Sequence, residues 1–345
     1  MQRCFGLLAK PLSLILVALV LAACAGGAAP STASSPSAPA KAASSPSAQP
    51  SPSGQLKTVK IAIPIVGSSF TYLFAARDLG FFRNHGLEPQ IVAIAPANAV
   101  AALQSGDLDY AAVVGSIIRS ALKGVTERVV SIAANRPNFG IVGAKGLTSL
   151  DQLQGKIVAV DNPGSTSFVM LTELMKVKGL AGKYQTVHAN SDETRLLLVT
   201  NGQAQGAILD TSNALRMQHE GFALLARPID FPEAPFSGMG AAQSSLQKNR
   251  DFMKAGLQAA LEGVDAMRTR KAEVVPIMVK ELNLTAEQAS EVYDQLHDGW
   301  TTNGRPTQGA VDFELKNDFE TLELKEMPKP DQVFDFSLLD ELGKK

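Results

Sequence analysis

The stretch KTVKIAIPIVGSSFTYLFAARDLGFFRNHGLEPQIVAI, residues 57–94, decides the fold. Thr58 to Pro64 is a short apolar run of the kind that forms a buried strand. Ser68 and Ser69 stand where a helix is capped, Phe70 to Leu79 continues as that helix, and Gly80 ends it. Leu87 to Ile94 is a second strand. Strand, helix and strand in this order, separated by short turns, predict two parallel strands with the helix packed on one face.

The same alternation continues outward. Asn98 to Gln104 reads as a helix and Gly106 as its break. Leu108 to Val114 is a third apolar run, Gly115-Ser116 opens another helix, and Arg128 to Ala134 is a fourth strand. A second block follows. Phe139 to Ala144 and Lys156 to Val160 are strands, Ser165 to Lys178 a helix, Gln185 to Ala189 a strand and Glu193 to Thr200 a helix. Ala207 to Leu209 and Leu224 to Ala226 are further short strands. From Gly238 the character changes to long helical patterns through Asn249 to Arg270, Ala272 to Leu282 and Thr285 to His297. The expectation is an α/β protein of two lobes, parallel-rich sheets flanked by helices, with a helical C-terminal tail.

The N-terminus reads differently. Arg3 and Lys10 precede an apolar run from Leu12 to Leu21, and Leu21-Ala22-Ala23-Cys24 follows. Basic region, short apolar region and small residues are the order of an export signal. The apolar run falls short of the roughly 20 residues that span a membrane. Cys4 and Cys24 are the only cysteines, and Cys4 leaves with a signal of residues 1–23, so no disulfide is expected in the mature chain. Residues 24–56 are nearly all Ala, Ser, Pro and Gly, with Lys41 the one charge. Such a segment buries too little to offset its ordering entropy and reads as a tether with a reach of about 30 Å.

The chain carries 32 basic and 33 acidic residues; without Arg3 and Lys10 the balance is 30 against 33. There is no basic stripe, so nucleic acid is not an expected partner. The histidines His85, His188, His219 and His297 are scattered, and no cluster has metal-ligand spacing, so neither metal nor cofactor is expected. Gly164-Ser165-Thr166-Ser167 lacks the lysine of a phosphate-binding loop. No nucleophile stands beside a base, which argues against an enzyme. His188, at the end of a strand, keeps that alternative open.

Several phrases resemble those of bacterial solute-binding proteins for nitrate, sulfonates, taurine and thiamine-precursor pyrimidines. Ala75-Ala76-Arg77-Asp78-Leu79-Gly80-Phe81-Phe82 running on to His85-Gly86-Leu87-Glu88 is similar to that family's first helix-and-turn phrase. Ala102-Leu103-Gln104-Ser105-Gly106-Asp107-Leu108-Asp109 is similar to its second, and Ser149-Leu150-Asp151-Gln152-Leu153-Gln154-Gly155-Lys156 to the phrase opening its second lobe. Leu21-Ala22-Ala23-Cys24 resembles the lipobox of bacterial lipoproteins, in which the cysteine carries the lipid chains. The resemblance implies a two-lobed type 2 periplasmic-binding-protein fold, with lobe 1 over 57–136, lobe 2 over 137–235 and a return to lobe 1 with C-terminal helices over 236–345. Crossovers fall near Asn135 to Asn138 and Pro232 to Phe236. It also implies a monomer anchored through Cys24 to the extracytoplasmic side of a bacterial membrane. There it would capture a small anionic or heterocyclic organic solute for an ABC permease. An enzyme on the same fold and a sensor lipoprotein that does not transport are the alternatives.

In such a fold the ligand lies outside the carboxyl ends of the strands, against helix N-termini. Four segments reach that place. Ser68, Ser69, Phe70 and Thr71 follow the first strand; the hydroxyls are anion donors or plain caps, and Phe70 a ring to stack on. Gly115 and Ser116 follow the third. Gly164, Ser165, Thr166 and Ser167 form the best anion candidate, a helix start rich in free N–H groups. Asp210 caps the next helix or faces the cleft. Asn135 and Arg136, in the first crossover, complete the candidate set.

Overall fold

Two five-stranded sheets, each carrying helices on its faces, make up the molecule. The computed structural model describes residues 55–343. The expected export signal, Cys24 and the Ala/Ser/Pro-rich segment lie outside the described residues.

The first lobe begins β1 (Lys57–Ile63), α1 (Thr71–Asp78), α2 (Phe81–Asn84), β2 (Leu87–Ala93), α3 (Pro96–Ser105), β3 (Tyr110–Ala111), α4 (Val114–Leu122) and β4 (Glu127–Ala134). The second lobe holds β5 (Phe139–Gly143), β6 (Ile157–Val160), α5 (Thr166–Val177), β7 (Gln185–His188), α6 (Asp192–Thr200), β8 (Gly206–Asp210), α7 (Thr211–His219) and β9 (Ala223–Ala226). The chain then returns through β10 (Ser237–Ala242), α8 (Gln243–Lys248), α9 (Arg250–Thr269), α10 (Lys271–Leu282), α11 (Ala286–Leu296), α12 (Gln308–Thr321) and α13 (Ser337–Leu342). No helix among the described residues is long and apolar enough to cross a membrane.

The strand–helix–strand unit at residues 57–94 forms as its sequence predicts. β1 and β2 pair in parallel from Lys57 against Leu87 to Ile63 against Ala93. α1 buries Tyr72, Leu73, Phe74, Ala75 and Ala76. Gly80 supplies the left-handed turn (φ 80°) that ends the helix, a conformation open to glycine at no steric cost. The first sheet has the order β2-β1-β3-β10-β4 and the second β7-β6-β8-β5-β9. Each is mixed: β10 runs antiparallel to β3 and β4, and β5 antiparallel to β8 and β9.

Two strands depart from the sequence reading, and the helices α2, α8, α12 and α13 were not individually read. The apolar run Leu108 to Val114 gives only the two-residue strand β3, because Val114 already belongs to α4. Strand β10 went unread, since Ser-Gly-Met-Gly-Ala-Ala shows neither alternation nor bulk. Its glycines answer to packing: a Cβ on Gly238 would collide with the Ser131 carbonyl oxygen, and one on Gly240 with Ile117. This thin strand lets the returning chain slot into the middle of the first sheet. The tail then covers it. Along α9 the residues Met253, Gly256, Leu257, Ala260, Val264 and Met267 recur at helical spacing and are all buried.

The chain crosses between sheets twice, at residues 135–138 and 227–236. Two pieces of the tail also touch the second lobe: His219 of α7 bonds Glu291 of α11 at 2.7 Å, and Phe313 of α12 packs on the second lobe's core.

Candidate functional site

The carboxyl ends of β1 and β8 face each other, and a polar network joins them. Ser68 and Ser69 form a short 3-10 turn after Gly67, and neither hydroxyl caps a helix. Both are buried and turned toward the other lobe. Ser68 Oγ donates to the Asp210 carboxylate, 3.1 Å from Oδ1 and 3.2 Å from Oδ2. Asn138 Nδ2 donates to Ser68 Oγ (2.6 Å), Ser69 Oγ (2.9 Å) and Asp210 Oδ2 (2.9 Å). The capping alternative for Ser68 and Ser69 is overturned: their side-chain partners are 69 to 142 residues away along the chain.

Asp210 caps the next helix and also bonds across to the first lobe. Its Oδ1 accepts from Ser212 N at 2.9 Å, capping α7, while the same carboxylate meets the first lobe. Behind it, Asp192 Oδ2 accepts from the Asp210 and Asn213 amides, both at 2.8 Å, and Asp192 pairs with Arg195. Burial pushes the Asp210 carboxyl up to about 6, and the Asp192 charge adds to this. Hydrogen bonds from Ser212 and Ser68 hold the rise back by favouring the charged form.

A cavity of about 250 Å³ adjoins this network at the hinge end. It is lined from the first lobe by Ser69, Ala134 and Trp300, from the first crossover by Arg136 and Asn138, and from the second by Ile229 and Phe236. Asn138 Oδ1 and Trp300 Nε1 are buried without a hydrogen-bond partner, one an acceptor and one a donor. Arg136 Nη2 donates to Glu233 Oε1 at 3.2 Å, so the guanidinium reaches the cavity already paired. Asp294 and Asp298 also line it. Asn135 turns its amide to the Arg305 carbonyl at 3.4 Å and is not among the lining residues. A larger cavity of about 480 Å³ lies beneath α9 and residues 301–305, wholly within the first lobe.

The remaining candidates are dispersed. Phe70 lies in the core, and Thr71 is fully buried beside it. Gly115 and Ser116 stand in the first turn of α4, half-buried, with the Arg119 guanidinium folded back over Gly115. Gly164 takes a left-handed turn (φ 84°), and Ser165 caps α5 by accepting from Phe168 N at 3.2 Å. Ser167 is buried and Thr166 half-buried. His188 is exposed, with its Nδ1 3.0 Å from the Asp161 carbonyl oxygen and its ring beside Phe168. Among the described residues no group of His, Cys, Asp or Glu could hold a metal ion.

Residues 68–273 match the family described as NMT1/THI5 like. The chain belongs to the NMT1/THI5-like family. No curated protein sequence matches it. Solved structures share the fold of this NMT1/THI5-like chain, a periplasmic-binding-protein fold. The Escherichia coli periplasmic aliphatic sulphonate-binding protein SsuA superposes with a TM-score of 0.64 at 16% identity, over 82% of this chain and 99% of that one. The ligand-binding component of an ABC-type import system from Staphylococcus aureus, solved with zinc bound, gives 0.67 at 19%, over 83% and 98%. The periplasmic nitrate-binding protein NrtA from Synechocystis gives 0.62 at 14%, over 84% and 89%.

Asn138, Phe236, Arg119 and Trp300 escaped the sequence reading. Asn138 and Phe236 end the two expected crossover segments, so position alone could have flagged them. Trp300 is the only tryptophan in the chain, but it lies in the tail, far from any strand end.

Proposed function

We propose that this protein is an extracytoplasmic solute-binding lipoprotein that holds a small organic solute between its lobes and delivers it to an ABC importer. The lobes divide as 57–136 with 236–345, and 137–235. The observation that carries the reading is the cavity at the crossovers, whose walls come from the first lobe and both connecting segments. A solute seated there bridges the first lobe and the two segments about which the second lobe turns, and so shifts the population toward the closed form. The sulphonate, nitrate and ABC-import proteins that share the fold support the transport role. Cys24 is the anchor in this reading, with the Ala/Ser/Pro-rich segment as its tether.

The cavity's chemistry favours the heterocyclic solute over the anionic one. Trp300 and Phe236 offer ring faces, and Asn138 Oδ1 and Trp300 Nε1 offer an unspent acceptor and donor. Arg136 is already paired with Glu233, so the cavity offers an anion no free guanidinium. The anion reading rests instead on the α5 start at Ser165 to Ser167.

Trp300 makes the test direct, since intrinsic fluorescence of the protein reports from the cavity wall. Titration with aminopyrimidines should quench or shift that emission at micromolar concentrations, and methanesulfonate, taurine and nitrate should not. Emission that stays constant for all of them while another method shows binding would move the solute out of this cavity. For the anchor, the full chain should fractionate with membranes and its Cys24→Ser form with soluble protein.

A further inference from the structure

Helix α12 touches both lobes. Its N-cap residue Thr307 donates a hydroxyl to Glu233 Oε2, in the second crossover, at 2.7 Å. Val311 and Leu315 pack into the first lobe's core, while Phe313 packs on the second lobe's core. The same helix buries two carboxylates one turn apart, Glu314 and Asp318, against Arg119 of α4. Arg119 Nη1 stands 4.0 Å from Glu314 Oε1 and 3.7 Å from Asp318 Oδ1, close enough for charge attraction and too far for a hydrogen bond. Asp318 is fully buried, and neither of its carboxylate oxygens has a hydrogen-bond partner.

Two acids therefore share one base, with Asp318 out of reach of water, Glu314 nearly so, and the Arg119 side chain partly exposed. The other elements packed here bring no second cation to them. α3 has no charged residue. β4 begins with Glu127 and Arg128, and Arg128 is turned to the Val125 and Glu127 carbonyls. Asp335, on the segment through Val333 and Phe334, accepts from Ser337 N. On α12 itself Asp312 binds Gln308, and Lys316 is exposed. A pair of ionised carboxylates at this spacing repel, and burying them with a single cation leaves one charge uncompensated.

We propose that α12 is a proton-dependent strap across the lobes. While the Glu314–Asp318 pair holds a proton, the helix seats on α4 and ties the second lobe and the crossover to the first. When the pair loses that proton, the helix loosens and the lobes part more readily. Burial raises both carboxyls above the ordinary range, the Asp318 charge raises Glu314 further, and Arg119 opposes both. Raised values mean that the seated helix binds protons more tightly than the free one. Seating is thus strongest at acidic pH and weakens as pH rises through the raised values. This goes beyond solute capture and holds whichever solute the cavity takes.

Hydrogen exchange of the full chain at pH 5 and pH 8, corrected for intrinsic rates, tests the strap. Peptides across residues 308–321 should exchange about tenfold or more slowly at pH 5 than at pH 8, because opening free energy sets the protection. The double variant Glu314→Gln, Asp318→Asn should stay protected at pH 8. Phe313→Ala should keep the pH dependence in α12 while removing it from the radius of gyration measured by X-ray scattering. Equal protection at the two pH values, or an unchanged pH dependence in the double variant, overturns the proposal. If the double variant does not fold, Arg119→Gln serves: removing the only base should move the transition to higher pH, and a fixed transition overturns the proposal equally.

Discussion

Two helix starts in this molecule have nearly the same sequence and opposite fates. Gly67-Ser68-Ser69-Phe70 precedes α1, and Gly164-Ser165-Thr166-Ser167-Phe168 opens α5. At α5 the first serine does the local job: Ser165 Oγ accepts from Phe168 N, and the loop before it stays exposed. At α1 both serine hydroxyls are buried and leave the helix uncapped to bond Asn138, with Ser68 also reaching Asp210. The two turns differ in backbone, with Gly67 extended before a 3-10 turn and Gly164 left-handed before a serine at the cap position itself. They differ also in the presence, at the first, of an acceptor and a donor from beyond the first lobe within reach. A serine-rich helix start is thus a cap by default and becomes an interlobe contact only when a partner arrives.

Removing the partner should have the largest effect. Asn138→Ala strips three hydrogen bonds from a buried place and leaves two hydroxyls without a donor. Loss of about 2–3 kcal/mol of stability is expected, read by denaturant titration. A loss as small as that of an exposed asparagine would mean that the Ser68–Asn138–Asp210 network is not formed in solution.

The acidity of Asp210 sharpens the same contrast. Its carboxyl is raised to about 6, so the folded state binds its proton more tightly than the unfolded chain does. The stability it contributes is present below the ordinary carboxylate range and is lost as pH rises through about 6. Asp210→Asn should flatten that part of the stability profile while leaving the part due to Glu314 and Asp318. A profile between pH 4 and 7 that the substitution does not change would place Asp210 in water.

The α5 start should show the smallest effects. Ser165→Ala should cost about 1 kcal/mol of stability, the worth of a cap. Thr166→Ala should leave the melting temperature of the unliganded protein unchanged. If an anionic solute docks at this turn, Thr166→Ala should weaken its binding by about 1.5–3 kcal/mol, for one charge-assisted bond, by calorimetric titration. An unchanged affinity for every anion that binds would remove this turn from the site and leave the cavity at Trp300.

The fold was legible wherever local signals were strong. Gly80 and Gly106 end helices because both need left-handed turns, and runs such as Val158 to Val160 are apolar because they are buried on both faces. β10 was not legible, since its glycines are set by contact with Ser131 and Ile117 and no local pattern encodes such contacts. The site was half legible. Ser69 and Arg136 line the cavity and Ser68 and Asp210 adjoin it, as strand-end and crossover positions suggest. Trp300 reaches the same place from the edge of β4, where it bridges to Ala134, and nothing near it in the chain announces that.

The sequence by itself determined most of the strands and helices, the turns between them and the two crossovers. Each of these depends on groups a few residues apart: a cap and its amide, a glycine and its own φ, an apolar run and its flanks. Tertiary structure alone decided which serines cap and which cross between lobes, why Asp210 titrates near 6, where a single tryptophan meets the hinge, and how one arginine comes to face two buried acids. Those properties depend on partners from distant segments, Ser68 with Asp210 and Arg119 with Asp318. Burial then sets their strength, because a hydrogen bond or a charge gains its large effect only once water is excluded.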